Sequence, residues 1–279
     1  MVALSTLVAE SLLAGFFKSI GSAIADSSTK IAKGKGNKII ESFNNSTITN
    51  DYLSKAVYKI FAFRTITKGD RDVYLDEVYH PLKISKGGLR RGRKINIGDK
   101  AKIKNNGCSV IIGLAGQGKT TIMRKLFLEE VVRKERLPLF LTLRQYSFEG
   151  KSCEDIILEH LSSNGIDCKP NDVVDVLKTK KVIIFFDGFD EVISSQRSHA
   201  LNLISSVFDK YGCPSIVTTR PDTEITRHPG TTTYFVEYLK SEDVKEMVVK
   251  IVNNQDVSSS ILTILQQKSS YNKQLKPRY

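Results

Sequence analysis

An α/β protein, with a parallel central sheet sandwiched between two helical layers, is encoded from about Asn105 onward. A helical N-terminal segment precedes it. Three observations predict this fold. Strand-length apolar runs alternate with helical stretches, which implies right-handed crossovers and an open parallel sheet. The run Val182-Ile183-Ile184-Phe185-Phe186 is apolar throughout, as a strand buried on both faces must be. The strand-like Val110-Ile111-Ile112 passes directly into a glycine-rich stretch and then a helical one. Ligands of such sheets sit at the carboxyl ends of strands.

Residues 2–25 read as an amphipathic-to-apolar helix, with Leu4, Val8, Leu12 and Phe16 at four-residue steps. Core packing suits it, and a membrane-surface or self-association helix is the sharper alternative. Residues 26–37 are a breaker rich in Ser, Gly and Lys. Residues 38–49 are polar and leave a short helix open. Residues 51–66 give a helix with Leu53, Val57, Ile60 and Phe61 on one face. Residues 73–84 are expected to be extended, because Pro81 disfavours helix before it. From Lys83 to Lys104, nine Lys and Arg accompany Asp99 alone, with Gly87, Gly88 and Gly92 among them. That composition predicts a mobile basic connector, and without interleaved aromatics it is poorly suited to stacking on bases.

In the core, strands are expected at residues 108–112, 139–143, 181–186, 214–219 and 232–238. Helices are expected at 119–135, 153–163, 171–179, 198–210, 242–252 and 258–268. No internal repeat is present. The domain reading is 1–50, an N-terminal helical segment; 51–104, helix, extended segment and basic connector; 105–240, the α/β core; and 241–279, the start of a further helical domain.

Bulk composition narrows the function classes. The chain has 279 residues, 41% hydrophobic and 26% charged, as in a globular protein with a real core. Its net charge of +12 sits at the front: residues 1–104 hold 19 Lys and Arg against 9 Asp and Glu, and the remainder holds 23 against 21. This basic region is of the sign that attracts nucleic acid or an anionic membrane, or it is simply a solvated surface. Cys108, Cys153, Cys168 and Cys213 are widely spaced, as for reduced thiols of a cytoplasmic protein. No apolar run reaches the roughly 18 residues of a spanning helix.

The chemistry-bearing residues lie at strand ends. Gly113, Gly118, Lys119 and Thr120 fit the phosphate-loop pattern G-x-x-x-x-G-K-[ST], and Gly116 adds another glycine. Glycines let backbone N–H groups curl around a phosphate, and the following helix N-terminus adds positive potential. Lys119 can reach β- and γ-phosphates, and Thr120 can hold Mg²⁺. Sixty-eight residues after Lys119, the buried strand delivers Asp187 of Asp187-Gly188-Phe189-Asp190-Glu191 to the same edge. A carboxylate there can hold Mg²⁺ opposite Thr120, and Asp190 or Glu191 can orient or deprotonate water. Thr218-Thr219-Arg220-Pro221 ends another strand, so Thr219 and Arg220 are expected to line the same edge and Arg220 can sense a γ-phosphate. Arg144, ending the 139–143 strand, is either a phosphate-edge group or a surface charge.

Together these motifs resemble the NACHT family of signal-transduction NTPases, a branch of the AAA+-related STAND group of P-loop NTPases. Gly113-Leu114-Ala115-Gly116-Gln117-Gly118-Lys119-Thr120-Thr121 is similar to the family loop G-x-x-G-x-G-K-[ST]-[ST], and Asp187-Gly188-Phe189-Asp190-Glu191 to its D-G-x-D-E. Tyr79-His80-Pro81-Leu82 resembles a segment often preceding the domain. The resemblance implies that Gly113, Gly116, Gln117, Gly118, Lys119, Thr120 and Thr121 bind ATP or ADP. Thr120 and Asp187 would hold Mg²⁺, and Asp190, Glu191 and Arg220 would be catalytic. It further implies a slow ATPase acting as a switch that self-associates with ATP, in bacterial antiphage or innate immune defence. Pro277 is matched to a proline that packs on adenine. Family members continue into winged-helix and sensor domains, so the reading expects a chain truncated after the NTPase core. ATP over GTP rests on the resemblance, although no N-K-x-D run for guanine is present.

Two other classes compete. One is a P-loop kinase or another AAA+-like ATPase, for which no acceptor lid or pore loop is assignable. The other is a non-catalytic membrane or nucleic-acid interaction module built on the N-terminal helix and basic connector. Roughly 50 residues before the connector are too few for a typical nuclease or protease domain.

Overall fold

The computed structural model describes residues 38–39, 55, 60, 62–64, 72–87, 94–103, 107–133, 135–252 and 256–264. The helix expected over residues 2–25, most of 38–49, the Gly-Arg run 88–93 and Pro277 lie outside them. The chain divides into two compact units, one from the stretches 61–81 and 238–279, the other from 2–60 and 82–237.

In the smaller unit, β1 (Ala62–Arg64) pairs antiparallel with β2 (Asp72–Tyr74). One helical turn follows, α1 (Leu75–Val78), with Leu75 and Val78 buried. Two expectations are corrected here. The helix read over 51–66 does not run through 62–64, because that stretch finds a strand partner. The segment read as extended over 73–84 contains α1, closed by the Tyr79 N–H donating to the Leu75 carbonyl at 2.8 Å. Pro81 restricts only the residue before it, so a turn ending at Val78 is compatible with it.

The larger unit is a seven-stranded sheet. The reading of 83–104 as a mobile connector is corrected by β3 (Leu82–Lys86) and β4 (Lys94–Ile97), which form its antiparallel margin. In β3 the buried Leu82 and Ile84 lie on one face with half-buried Lys83 between them on the other, and Lys86 is exposed at the strand's end, so the charges leave an inward apolar pair intact. The other strands are β5 (Cys108–Ile112), β6 (Leu137–Thr142), β7 (Val182–Asp187), β8 (Ser215–Thr219) and β9 (Thr231–Val236). The order is β4-β3-β9-β5-β8-β7-β6; β9 through β6 are mutually parallel, and β3 is antiparallel to β9. Pro138 lies inside β6, where expectation placed it before the strand. It is tolerated because β6 is an edge: the Leu137 N–H faces β7, so the position without a donor faces outward.

The helices of this unit are α2 (Lys119–Arg133), α3 (Cys153–Ser163), α4 (Pro170–Lys178) and α5 (Arg197–Tyr211). α3 starts at Ser152, whose side chain accepts from the Asp155 N–H while Asp155 accepts from the Ser152 N–H. α4 starts with Pro170, whose missing donor is not needed there. All six residues of β7 are buried. Phe185 meets Phe127 of α2 edge-on at 5.6 Å, which locks the helix after the loop onto the sheet. Ile122, Met123 and Leu126 bury the same helix face. A further helix, α6 (Ser241–Val252), belongs to the smaller unit, where Lys250 donates to the Tyr79 carbonyl at 2.6 Å, and residues 256–264 are helical as well. Among the described residues no helix is long and apolar enough to cross a membrane.

Candidate functional site

β5 lies between β9 and β8, while the chain leaving it crosses to β6 at the far edge. A crevice therefore opens at its carboxyl end, where the order of connections reverses. The loop after β5 occupies that position. Gly116 and Gly118 have φ of +75° and +84°, a region that side-chain-bearing residues enter only at a cost. At Gly118 a Cβ would also lie 2.6 Å from Leu82 Cδ1, so β3 presses directly on the loop. Gln117 clamps the turn: its Oε1 accepts from the Leu114 N–H at 2.5 Å. The Gly113 N–H donates to the Thr219 carbonyl at 3.2 Å and ties the loop to β8.

Lys119 opens α2, and its ammonium donates to the carbonyls of Gly113 at 2.9 Å and Leu114 at 3.0 Å. Burial pushes its pKa below the ordinary lysine value. Asp190 opposes that shift, Arg220 adds to it, and Asp187 and Glu191 oppose it. All these charges therefore share one field at the loop.

Thr120, next on the helix, directs its hydroxyl to both Asp187 oxygens, at 3.2 and 3.0 Å. Asp187 is buried at the end of β7 and also accepts from the Thr218 hydroxyl at 2.5 Å. Thr218 in turn accepts from the Gly188 N–H at 2.8 Å, which fixes the turn after the strand. Gly188 has φ +82°, and the short 3-10 turn Phe189–Glu191 follows.

Asp190 is held by Arg220. The Arg220 Nε lies 2.8 Å from Asp190 Oδ2, and the Arg220 backbone N–H donates to Oδ1 at 3.2 Å. Arg197 donates to the Asp190 and Val192 carbonyls, both at 3.0 Å, and so braces the acidic turn from α5. Glu191 reaches the other way, to Arg144 at 3.4 Å, with both side chains substantially exposed. Arg144 thus lies at the acidic turn rather than standing alone.

Residues 108–255 match the NACHT domain model. The chain belongs to the NACHT family. It is accordingly a STAND P-loop NTPase, and nucleotide binding follows from that membership. No curated protein matches the sequence. Structural similarity extends to Saccharomyces cerevisiae RIF2 (11% identity, 58% of this chain and 64% of that one, TM-score 0.35). It extends also to Drosophila ORC bound to DNA (13%, 58% and 45%, 0.40). A Pyrococcus horikoshii STAND protein with a tetratricopeptide repeat sensor is a third (16%, 58% and 25%, 0.32). The NACHT chain spans less than two thirds of each of these three.

In this NACHT domain the fold gathers Gly113, Gly116, Gln117, Gly118, Lys119, Thr120, Asp187, Asp190, Glu191 and Arg220 at one sheet edge. Thr121 follows Thr120 into α2, half-buried. The donor set fits Mg²⁺, which takes one hydroxyl and one carboxylate and fills its octahedron with water and phosphate oxygens. A hydroxyl 3 Å from a buried carboxylate at the lysine-bearing loop is that pair. Two roles escaped sequence reasoning. Thr218 orients Asp187, and the β7–β8 register, with Phe186 opposite Val217, places it beside that carboxylate. Arg124 lies four residues after Thr120, hence on the same helix face. It lines one cavity with Thr120 and Asp187.

Proposed function

We propose that this NACHT domain binds Mg–ATP and Mg–ADP at the carboxyl edge of its sheet and works as a slow ATPase whose bound nucleotide sets its state. The observation that carries the reading is the Thr120 hydroxyl and the buried Asp187 carboxylate meeting at the Lys119 loop. Backbone N–H groups of the loop would cradle the phosphates, and Lys119 would exchange its two loop carbonyls for β- and γ-phosphate oxygens. Thr120 and Asp187 would hold Mg²⁺, which neutralises phosphate charge when bound.

Two catalytic roles then divide between neighbours. Glu191, exposed and paired with Arg144 across 3.4 Å, is the group that would turn and accept a proton from the attacking water. Asp190 is committed to Arg220, so its role is to aim that guanidinium at the γ-phosphate. The family resemblance supports extending the proposal to self-association in the ATP state and to a cytoplasmic antiphage or immune signalling role. The resemblance also supports Pro277 as an adenine contact.

The test is the Mg²⁺ dependence of nucleotide binding. Wild-type protein should bind a fluorescent ADP analogue more tightly with Mg²⁺ than with EDTA. Asp187→Asn should abolish that difference while leaving the EDTA affinity within about threefold, since one charge–metal contact is removed. A full Mg²⁺ effect in Asp187→Asn would refute the assignment.

A further inference from the structure

Between α2, α3 and the end of β6 lies a cavity of about 370 Å³. Thr120, Asp187 and Glu191 form one corner, which it shares with the nucleotide site. Its other walls extend away from that site. Ile60, Phe127 and Phe140 make an apolar side, and Arg124, Tyr146 and His160 make a polar one. Tyr146 and His160 engage each other, with the phenolic oxygen 2.9 Å from Nδ1.

Arg124 is the group whose bonding is incomplete. Its Nε is buried without a hydrogen-bond partner, although a guanidinium carries five donors in a rigid fork. The Arg124 side chain lines the cavity; burial pushes its pKa below the ordinary arginine value, and Asp187 opposes that shift. The carboxylates of the shared corner are already occupied. Asp187 accepts from Thr120 and Thr218, and Glu191 pairs with Arg144. The Arg144–Glu191 contact is 3.4 Å long and solvent-exposed, so another anion can take Glu191's place at low cost.

We propose that this cavity is a second anion site that takes a phosphate dianion between Arg124 and Arg144. The phosphate is either free or the monoester of a small organic molecule. Planar guanidinium forks match phosphate oxygens in pairs. The volume leaves room beyond a phosphate group, and the Ile60, Phe127 and Phe140 side is where an organic substituent rests. An anion on Arg144 releases Glu191, so occupancy here is linked to the residue assigned to water activation. The inference rests on the nucleotide reading for that linkage alone; the site itself does not.

The test uses the full chain saturated with Mg–ADP, so that the loop is filled. Inorganic phosphate and phenyl phosphate are titrated by calorimetry, and ADP affinity is followed in the same samples with a fluorescent analogue. Both probes should bind at millimolar concentration or tighter, and Arg124→Gln should weaken both by about tenfold or more through loss of a charge-assisted fork. Ser163→Phe fills the cavity from α3 and serves as the second variant. It should weaken both probes to a similar extent and leave ADP affinity within about twofold. Phenyl phosphate binding about tenfold tighter assigns a monoester, and equal binding assigns free phosphate. No binding of either probe up to about 20 mM overturns the proposal, as does binding that both variants leave intact. Probe binding that is lost in Arg124→Gln, in protein that does not bind Mg–ADP, keeps this site and rejects the nucleotide reading.

Discussion

Two sets of carboxylates in the larger unit are paired in different ways. Away from the loop, Glu154, Glu130 and Glu129 are buried against cations and other strong donors. Glu154 accepts from Lys210, Tyr211 and the Cys153 thiol, which ties α3 to α5. Glu130 takes Arg133 at 2.6 Å and Arg136 at 2.8 Å, and Glu129 takes Lys125 at 3.1 Å. At the sheet's carboxyl edge, Asp187 is held by hydroxyls, and Glu191 has a long contact to an exposed arginine. Glu154 is 10% exposed and Glu191 45%. A buried carboxylate saturated by donors can only hold the fold together. One held by hydroxyls or an exchangeable cation can accept new partners. Pairing alone therefore does not mark a functional acid; the kind of partner does.

Substitutions should separate the two groups. The largest effect belongs to the edge: Lys119→Ala should lower nucleotide affinity about 100-fold, near 2.7 kcal/mol, with an unchanged melting temperature. A fluorescent-nucleotide titration beside a thermal melt reads both, and a fall in melting temperature would move Lys119 into the structural group. Glu154→Ala should do the reverse. It leaves Tyr211 and Lys210 without their shared acceptor, so urea unfolding should show a loss of about 2 kcal/mol with nucleotide affinity unaltered. Lost affinity there would erase the distinction.

A smaller effect should appear in acid. Burial works to raise the Glu154 pKa, but hydrogen bonds from Lys210, Tyr211 and Cys153 overcome it and hold the group at about 2, against an ordinary 4.5. A depressed folded pKa gives stability that is present above the unfolded value and lost as pH falls through the folded one. Stability should therefore decline between about pH 4.5 and 2, and Glu154→Gln should flatten that decline in acid unfolding curves. An equally steep decline in the variant would assign it to other carboxylates.

Much of the core was legible because its signals are local. The loop, the apolar run of β7 and the helix after β5 each carry their own pattern, and α3 begins and ends where its cap and periodicity say. The strands β3 and β4 were not legible. Their lysines and glycines read as a solvated connector, and only the antiparallel pairing of β3 with β9, some 150 residues on, reveals a sheet margin. Within the site, the motifs indicated which residues gather, but not their pairing. That Asp190 belongs to Arg220 and Glu191 to Arg144 depends on the direction of the 3-10 turn after Gly188, whose positive φ has no sequence signature beyond glycine itself. The role of Thr218 escaped notice because a threonine in a strand reads as β-propensity until register sets it beside Asp187.

The central claim is that one sheet edge both binds nucleotide and acts on it, with Glu191 as the mobile acid. Nucleotide affinity and steady-state ATP turnover, measured together on Glu191→Ala, test it most directly. Affinity should stay within about threefold of wild type while turnover falls about 100-fold or more, the usual scale for losing a general base. Turnover unchanged in Glu191→Ala would contradict the account.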